Sequence, residues 1–415
     1  MCDVNEDKLN AEQMLQKKKK VLVGSTCMKC KENKAIVVIR VNDPMCRSCF
    51  LVYVTHKFRS TLGKARLIKP NDKVLLALSS GHSSMAMLHL VNEALSESAH
   101  KRLKFEPGVV FIDERDVLSD NKSYDFAALK DVTEKLGYPF YTVPIHKRFQ
   151  ADADEGEVNS KKRFCECFNS INTLSAKIEF LSATRMSLIV DTARKYNFTK
   201  IMFGETATTL TMKLLCNVAQ GRGANIAQDM GVSDNRHSNI TLIRPMREFS
   251  SKEVAIYNRL HEIEVNPLPN LHTMTTSGSS LHRQTEEFIT GLQADFPSTV
   301  NTVFRTSDKL CVNADLKVSD KKCLLCQSVL LMEEEEREKI VASQGHCCGS
   351  SDECNSGKLR LKAEDVRSLL CYGCKLTFKD MGNRVELLPE KLLQDVSVEM
   401  KRSKMKESIQ DFLLE

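Results

Sequence analysis

The stretch "VLLALSSGHSSMAML", residues 74–88, decides the fold of this chain. Five apolar residues, 74–78, run into a turn of small residues, and an amphipathic helical pattern follows at once. A strand, a tight loop and a helix N-terminus are how α/β proteins hold a phosphate group, because free backbone N–H groups and the helix dipole face the anion. The loop has no lysine, no carboxylate and a single glycine. The stretch therefore predicts either a working nucleotide site or the remnant of one.

The sequence around this stretch predicts a parallel α/β sheet. From residue 70 to residue 263, short β-branched runs alternate with amphipathic stretches, which is typical of strands joined by helices. We predict strands at 74–78, 108–113, 140–145, 200–204 and 240–245. We predict helices at about 83–97, 123–137, 182–196, 207–219 and 250–263. The polar segment 150–164 lacks periodicity and is predicted to be a surface loop.

Composition and charge indicate a soluble protein with a polyanionic partner. Of the 415 residues 42% are hydrophobic, and no apolar run approaches the length of a membrane span, so we expect no membrane partner. Residues 1–20 are polar and lack the apolar core of a signal peptide, so we expect a cytoplasmic protein. Residues 1–70 hold 15 Lys and Arg against 6 Asp and Glu, a net charge of +9. This basic end predicts a polyanion partner, and a solvated lysine-rich segment is the alternative.

The first cysteine module consists of two C-x2-C pairs separated by fifteen residues. In a reducing compartment, such paired cysteines indicate a metal site rather than disulfides. Two pairs on facing hairpins supply four thiolates, which close a tetrahedral zinc site and leave no position for a substrate. We therefore predict a structural zinc ion here, with two unrelated thiol pairs as the alternative. The predicted ligands are Cys27, Cys30, Cys46 and Cys49.

The second cysteine module has the same pairs with a gap of 44 residues between them. The predicted zinc ligands are Cys323, Cys326, Cys371 and Cys374. The insert carries further candidates that could serve a second metal or replace one pair: His346, Cys347, Cys348 and Cys354. Cys165, Cys167 and Cys216 stand apart, and either a redox role or an incidental position is open for them.

The loop after the first strand of the predicted sheet resembles the pyrophosphate loop of N-type ATP pyrophosphatases, S-G-G-x-D-S. Ser79, Gly81 and Ser84 match that pattern, whereas Ser80 replaces a glycine and Ser83 replaces the acidic residue. That superfamily places G-H-N-x-D-D after its fourth strand, where this chain reads "GETATT", residues 204–209. The missing carboxylates are the groups that organise a magnesium ion on pyrophosphate. The candidate residues of this degenerate nucleotide loop are Ser79, Ser80, Gly81, His82, Ser83, Ser84, Gly204 and Glu205.

Further motifs extend the resemblance over roughly residues 20–376. The cysteine pairs and the degenerate loop are joined by "AQGRG" (219–223), "IRPMREFSSKEVAIY" (243–257) and "FITGLQADFPSTVNTVFRTSDKL" (288–310). In this order, they resemble the family of cytoplasmic tRNA 2-thiolation protein 2, the partners of catalytic tRNA thiolase subunits. The F-P-S-T-V block is the most specific part. The resemblance implies an ATP-pyrophosphatase-like (adenine nucleotide α-hydrolase-like) parallel-sheet α/β domain, flanked by N- and C-terminal zinc-binding cysteine modules.

The resemblance also implies a function. In that family, a heterodimer with the catalytic paralogue places sulfur at position 2 of the wobble uridine (U34) in tRNAs for lysine, glutamate and glutamine. Sulfur arrives as a thiocarboxylate on a ubiquitin-related modifier, and ATP activates the uridine by adenylation. Because the positions that an adenylating site needs are missing here, we expect catalysis and ATP in the partner and no catalytic residue in this chain.

Two alternatives stay open at this point. The first is an ATP-dependent tRNA-modifying sulfurtransferase active in its own right, with His82 and Glu205 substituting for the lost carboxylates. The second is a nucleotide-sensing module without a tRNA role. This second alternative leaves the cysteine modules and the basic end unexplained.

Candidate tRNA-binding residues lie in the segment 56–69 and in the G-R-G turn. Basic residues recur among apolar ones in the segment, which predicts a helix with a basic face that contacts phosphates. The glycines beside Arg222 allow its backbone to approach a ligand closely. A solvated helix face and a structural turn are the respective alternatives. The candidates are Lys57, Arg59, Lys64, Arg66 and Arg222, with Lys69 beside them.

The predicted organisation has six parts. They are a disordered tail (1–20), the N-terminal zinc module with its basic helix (21–69), the degenerate pyrophosphate-loop domain (70–263), a helical segment (264–322), the C-terminal zinc module (323–376) and a charged tail with a terminal helix (377–415).

Overall fold

A central six-stranded sheet organises the computed structural model, with strand order β5-β4-β3-β6-β8-β7. The ten strands of the described chain are β1 Val37–Ile39, β2 Asp43–Met45, β3 Asp72–Leu78, β4 Phe105–Asp113, β5 Phe140–Pro144, β6 Lys200–Phe203, β7 Ser233–Asp234, β8 Thr241–Ile243, β9 Val318–Lys322 and β10 Val329–Leu331. The structure describes residues 23–39, 42–97, 99, 102–117, 126–150, 156–267, 271, 276, 278–296, 298–307, 309, 318–331 and 361–409. The predicted disordered tail 1–20 lies outside these residues.

The prediction of a parallel sheet is confirmed. Strand β3 pairs in parallel with β4 on one side and β6 on the other, and β5 and β8 extend the sheet in parallel. The short edge strand β7, which we did not predict, is antiparallel to β8. The chain reverses its direction of winding around β3, so the loop after β3 lies at the switch point where sheets of this type bind ligands.

Thirteen α-helices surround the sheet in the described residues. They are α1 Arg47–Lys64, α2 His82–Leu95, α3 Ala127–Lys135, α4 Glu157–Ser170, α5 Leu174–Lys195, α6 Ala207–Ala219, α7 Ile226–Met230, α8 Ser251–Leu260, α9 Leu281–Asp295, α10 Thr299–Ser307, α11 Ala363–Ser368, α12 Tyr372–Asp380 and α13 Glu390–Ile409. Within the part of the chain that the structure covers, no helix is both long and apolar enough to cross a membrane.

The two faces of the sheet carry different modules. Along β3, Val74 and Leu76 point to one face and Leu75 points to the other, as expected for the alternation of a strand. The first face packs against α1, α2, α8 and the hairpin of β1 and β2. The second face packs against α4, α5 and the C-terminal cysteine module with α13. The N-terminal and C-terminal modules therefore lie on opposite sides of the α/β domain.

One of our predictions for the chain's polar segments is wrong. The predicted loop 150–164 contains most of helix α4, because Ser160, Phe164, Cys167 and Phe168 form a buried stripe at helical spacing under a charged outer face. The predicted charged tail does include its terminal helix. However, Leu388, Leu392 and Val396 are buried in the cluster that contains the sheet, so this segment is part of the body. In the helical segment 264–322, helices α9 and α10 are confirmed, and its last residues form strand β9.

Candidate functional site

The degenerate loop, residues 79–84, runs from the end of β3 into the first turn of α2. Ser80 has a φ of +55°, the left-handed conformation that glycine adopts freely and other residues adopt at about 1 kcal/mol or more. The Ser84 hydroxyl donates to the Gly81 carbonyl at 2.9 Å and accepts from the Ser79 N–H at 3.3 Å. The side chains of Ser79, Ser80 and Ser84 thus bind within the loop itself.

Gly204 explains how the two predicted site segments meet. A Cβ atom at Gly204 would lie 3.0 Å from the backbone of Ser83 and Ser84, so a larger residue would push the loop away from the end of β6. The structure therefore brings the segments 79–84 and 204–205 together. His82 begins α2, and its side chain is exposed.

Glu205, which we considered as a substitute carboxylate, is held in ion pairs. Its carboxylate accepts from Arg244 Nε at 2.7 Å and from Lys213 Nζ at 3.3 Å, and the Arg244 side chain is 1% exposed. Burial alone would raise the pKa of Glu205, but Lys213 and Arg244 lower it to about 2. The carboxylate is ionised and committed to these two cations.

The three threonines of the segment 204–209, of which Thr208 and Thr209 stand at the positions of the superfamily's acids, have structural roles. Thr206 is the N-cap of α6, accepts from the Thr209 N–H at 3.3 Å and shares a hydroxyl contact with Thr209 at 3.1 Å. The Thr208 hydroxyl accepts from the Ser251 N–H at 3.2 Å. In place of carboxylates that bind magnesium, this chain has hydroxyls that cap helices.

A cavity of about 650 Å³ opens near the carboxyl edge of the sheet. It is lined by Glu114 after β4, by Glu205 after β6 and by Cys326 and Cys374 of the C-terminal module. Its wall carries acidic and basic side chains, many of them paired with each other, such as Arg185 with Glu114 and Arg236 with Asp229. No residue of the loop 79–84 is part of the wall described by the structure. The cavity therefore reaches the candidate site through Glu205 and not through the loop itself.

Each cysteine module gathers its four predicted ligands. The four sulfur atoms of Cys27, Cys30, Cys46 and Cys49 lie within 4.8 Å of one another, and those of Cys323, Cys326, Cys371 and Cys374 do the same. The sulfur–sulfur distance is 3.8 Å for Cys30–Cys46 and 3.5 Å for Cys326–Cys371. A tetrahedral ion with metal–sulfur bonds of about 2.3 Å places its ligands about 3.8 Å apart. Both groups are the size of a site for one ion.

Three further cysteines of the described residues lie outside the two modules. Cys167 is buried, its sulfur lies 3.4 Å from that of Met381, and burial raises its pKa to about 12. Cys216 contacts the Thr285 hydroxyl at 3.4 Å, and burial raises the pKa of Cys165 as well. None of these three belongs to a potential metal-binding group in the described residues. The candidates of the insert, His346, Cys347, Cys348 and Cys354, lie outside the described residues.

The basic candidates of α1 do not share one face. Lys64 and Arg66 are exposed, and Arg59 is half-buried. Lys57 points into the body instead, where its ammonium lies 3.0 Å from a carboxylate oxygen of Glu253 and 4.7 Å from the centre of the Phe249 ring. The predicted exposed basic face is therefore wrong for Lys57, because helical spacing places it over the N-terminus of α8.

Arg222 is also turned inward. Its Nη1 donates to Glu179 Oε2, and its side chain is 14% exposed. Glu179 also accepts from His282 Nε2 at 2.9 Å and from Gln220 Nε2 at 3.2 Å. Burial raises the pKa of Glu179, but His282 and Arg222 outweigh it and lower the pKa to about 2. This cluster joins α5, α6 and α9, and the G-R-G motif was the only signal for it in the sequence.

Comparisons with known proteins agree with this architecture. A family model described as Cytoplasmic tRNA 2-thiolation protein 2 matches residues 280–376. The protein of that name from Danio rerio is 36% identical, over 100% of this chain and 99% of its own length. The Homo sapiens protein of that name is 32% identical, over 94% of this chain and 93% of its own length.

The fold is similar to a solved structure, the U34-tRNA thiolase NcsA from Methanococcus maripaludis with its 4Fe-4S cluster. The TM-score is 0.55 at 16% sequence identity, and the match covers 74% of this chain and 97% of that one. The sheet and the loop after β3 thus define a pyrophosphate-loop α/β protein of the ATP-pyrophosphatase-like class, flanked by two four-cysteine modules. The chain belongs to the cytoplasmic tRNA 2-thiolation protein 2 family.

Proposed function

We propose that this chain is a non-catalytic subunit of a cytoplasmic complex that places sulfur at position 2 of the wobble uridine (U34) in tRNAs for lysine, glutamate and glutamine. Family membership supports the role in tRNA 2-thiolation. The fold that it shares with a U34-tRNA thiolase fits the same role. Its partner is a catalytic paralogue in a heterodimer, and the sulfur comes from a thiocarboxylated ubiquitin-related modifier.

The ion pairs of Glu205 are the observation on which the non-catalytic assignment depends. Adenylation with ATP needs a carboxylate free to organise magnesium on pyrophosphate. Glu205 is the acidic residue of the 204–209 segment, and both its oxygens are bound to buried or half-buried cations. With Ser83 in the loop and threonines at 208 and 209, the magnesium ligands are missing. ATP therefore acts in the partner subunit.

Each cysteine module binds one structural zinc ion in this proposal. Close sulfur–sulfur distances support a single ion, since a 4Fe-4S cluster holds its four thiolates on four different irons and spreads them further apart. All four ligand positions of a zinc ion are then filled by cysteine, so neither ion has an open position for a substrate. The zinc ions supply folding free energy rather than chemistry.

The tRNA contacts of this chain lie at the exposed end of α1. Arg59, Lys64 and Arg66 supply positive charge there, and charges of this kind contact phosphates without reading sequence. Lys57 and Arg222 hold the fold through ion pairs, so we assign them no phosphate.

The test is depletion of the chain from its native cytosol, followed by mass spectrometry of 2-thiouridine in the three tRNAs. Wild-type chain is expected to restore 2-thiouridine, and so is the double variant His82→Ala, Ser83→Ala, which removes the histidine of the active alternative and the side chain at the position of the lost acid. Unchanged 2-thiouridine after depletion would contradict the role in thiolation. Loss of rescue by a soluble double variant would instead favour the alternative of an ATP-dependent sulfurtransferase active in its own right.

A further inference from the structure

The G-R-G turn and the second C-x2-C pair of the C-terminal module interlock. Gly221 has a φ of +69°, and a Cβ atom there would lie 2.7 Å from the Tyr372 ring. A Cβ atom at Gly373 would lie 2.1 Å from Arg222 Nε and 2.8 Å from its Cγ. These two glycines, one in each segment, leave room for "GRG" and "CYGC" to touch, although the segments are far apart in sequence.

This contact places the Nε atom of Arg222 against the C-terminal module. The guanidinium is fixed on its far side by the ion pair with Glu179. Its Nε lies against Gly373, which directly precedes the ligand Cys374. This Nε is buried and has no hydrogen-bond partner in the described protein. A buried donor of a charged group without a partner is costly, so such an atom needs an explanation.

The charge of a loaded module supplies that explanation. Four thiolates around a divalent ion carry a net charge of −2, and their sulfur lone pairs accept hydrogen bonds. Groups outside the ligand shell commonly orient metal ligands and tune the metal, and their removal typically costs about 10- to 100-fold in affinity. Arg222 borders the same cavity wall as Cys326 and Cys374.

We propose that Arg222 is a positioning residue of the C-terminal metal site, and that its Nε–H takes a cysteine thiolate of that site as its acceptor when a metal ion is bound. Its positive charge offsets part of the −2 charge of the site, and Glu179 holds the guanidinium in place. The inference rests on the metal occupancy proposed above. It replaces the tRNA contact that the sequence predicted for Arg222 of the G-R-G motif.

The N-terminal module is an internal control. Polar neighbours of its sulfurs in the described residues are neutral: Asn33 Nδ2 lies 3.9 Å from Cys30 Sγ, and the Ser48 hydroxyl lies 3.4 Å from Cys46 Sγ. A change at Arg222 should therefore affect one of the two metal ions and leave the other unchanged.

The experiment measures zinc release from the full-length chain by a chelator with a coloured zinc complex. We expect Arg222→Gln to speed the release of one zinc equivalent about tenfold or more and to leave the second equivalent unchanged. Arg367→Gln is the matched control. Arg367 lies in the same module, but its Nε donates to Asn383 Oδ1 at 3.2 Å. Equal release rates for wild type and Arg222→Gln would overturn the proposal.

A second variant covers the case in which Arg222→Gln fails to fold. Arg222→Lys keeps the charge and removes the planar Nε–H, and cobalt(II) replaces zinc as the probe. Loss of an N–H···S bond raises the energy of the sulfur electrons, so the sulfur-to-cobalt absorption band should shift to longer wavelength. The unaltered N-terminal site cancels in the difference spectrum between variant and wild type. An unshifted band would overturn the role of Arg222 and leave the zinc proposal standing. Wild-type protein without metal at Cys323 and Cys374 would overturn both.

Discussion

The two cysteine modules have the same four ligands but are embedded differently. At the N-terminal module, the helix α1 packs on the sheet through Phe50, Val54 and Phe58, while the cysteines themselves are not part of the hydrophobic cluster. At the C-terminal module, Cys323 and Cys374 belong to the cluster that contains the second face of the sheet. One site therefore lies beside the core and the other lies within it. Identical ligand spacing does not reveal this difference.

One inward-facing cation lies close to each module: Lys57 is in the helix of the N-terminal module, and Arg222 of the α/β domain lies against Gly373 of the C-terminal module. Lys57 pairs with Glu253 on the N-terminal side, and Arg222 pairs with Glu179 on the C-terminal side. All four side chains are 14% exposed or less. Both cations stood among the candidates for tRNA contact in the sequence. A basic residue near a predicted site is thus as able to hold the fold as to bind a phosphate.

Removing one ligand from each module should give the largest difference between them. Cys374→Ser should abolish the cooperative unfolding transition of the whole chain, because metal binding contributes on the order of 10 kcal/mol and this site is inside the core. Cys27→Ser should lose one metal equivalent and unfold the hairpin around β1 and β2, while the α/β domain keeps its transition. Calorimetry with metal analysis checks both variants. If both substitutions change the unfolding transition of the α/β domain equally, the distinction between the modules is wrong.

Breaking the N-terminal ion pair should have an intermediate effect. Lys57→Ala leaves the carboxylate of Glu253 buried, although Tyr53 and the Ser250 N–H still donate to it. We expect a loss of about 2–3 kcal/mol in the free energy of unfolding by urea. The exposed Lys64→Ala on the same helix is the control, with a change within about 0.5 kcal/mol. If both variants unfold at the same urea concentration, Lys57 does not hold the module.

The smallest expected effect concerns tRNA binding by the heterodimer. Lys64→Ala and Arg66→Ala together should weaken binding to every tRNA alike and reduce the salt slope by about 0.9 for each phosphate contact, or about 0.7 on single strands. Lys375→Ala with Lys379→Ala, on helix α12 of the C-terminal module, is the matched control and should leave the slope unchanged. A slope lowered only by the control pair would move the tRNA contact to the C-terminal module.

The sequence was sufficient for the elements whose patterns are local. Strand β3 and the loop after it follow from an apolar run and small residues, and the cysteine ligands follow from C-x2-C spacing. Helix α4 was missed because its charged outer face hides the stripe of Phe164 and Phe168. The inward direction of Lys57 and Arg222 depends on Glu253 and Glu179, which are distant in sequence. Tertiary pairing of this kind leaves no periodic signal.

The ion pairs of Glu205 were equally hidden. The sequence shows a carboxylate where the superfamily has a histidine, and this was compatible with a substitute catalytic group. Only the structure shows that Arg244, from the segment after β8, reaches the same carboxylate at 2.7 Å.

The central claim is that this chain supports thiolation without activating the uridine itself. The direct measurement is AMP formation from ATP by purified chain with target tRNA and the thiocarboxylated modifier as sulfur donor, with and without the catalytic paralogue. We predict no AMP from the single chain and AMP only when the paralogue is present. AMP formed by the single chain, and lost in Gly204→Ala, whose Cβ would press on the Ser83 backbone at 3.0 Å, would contradict the account.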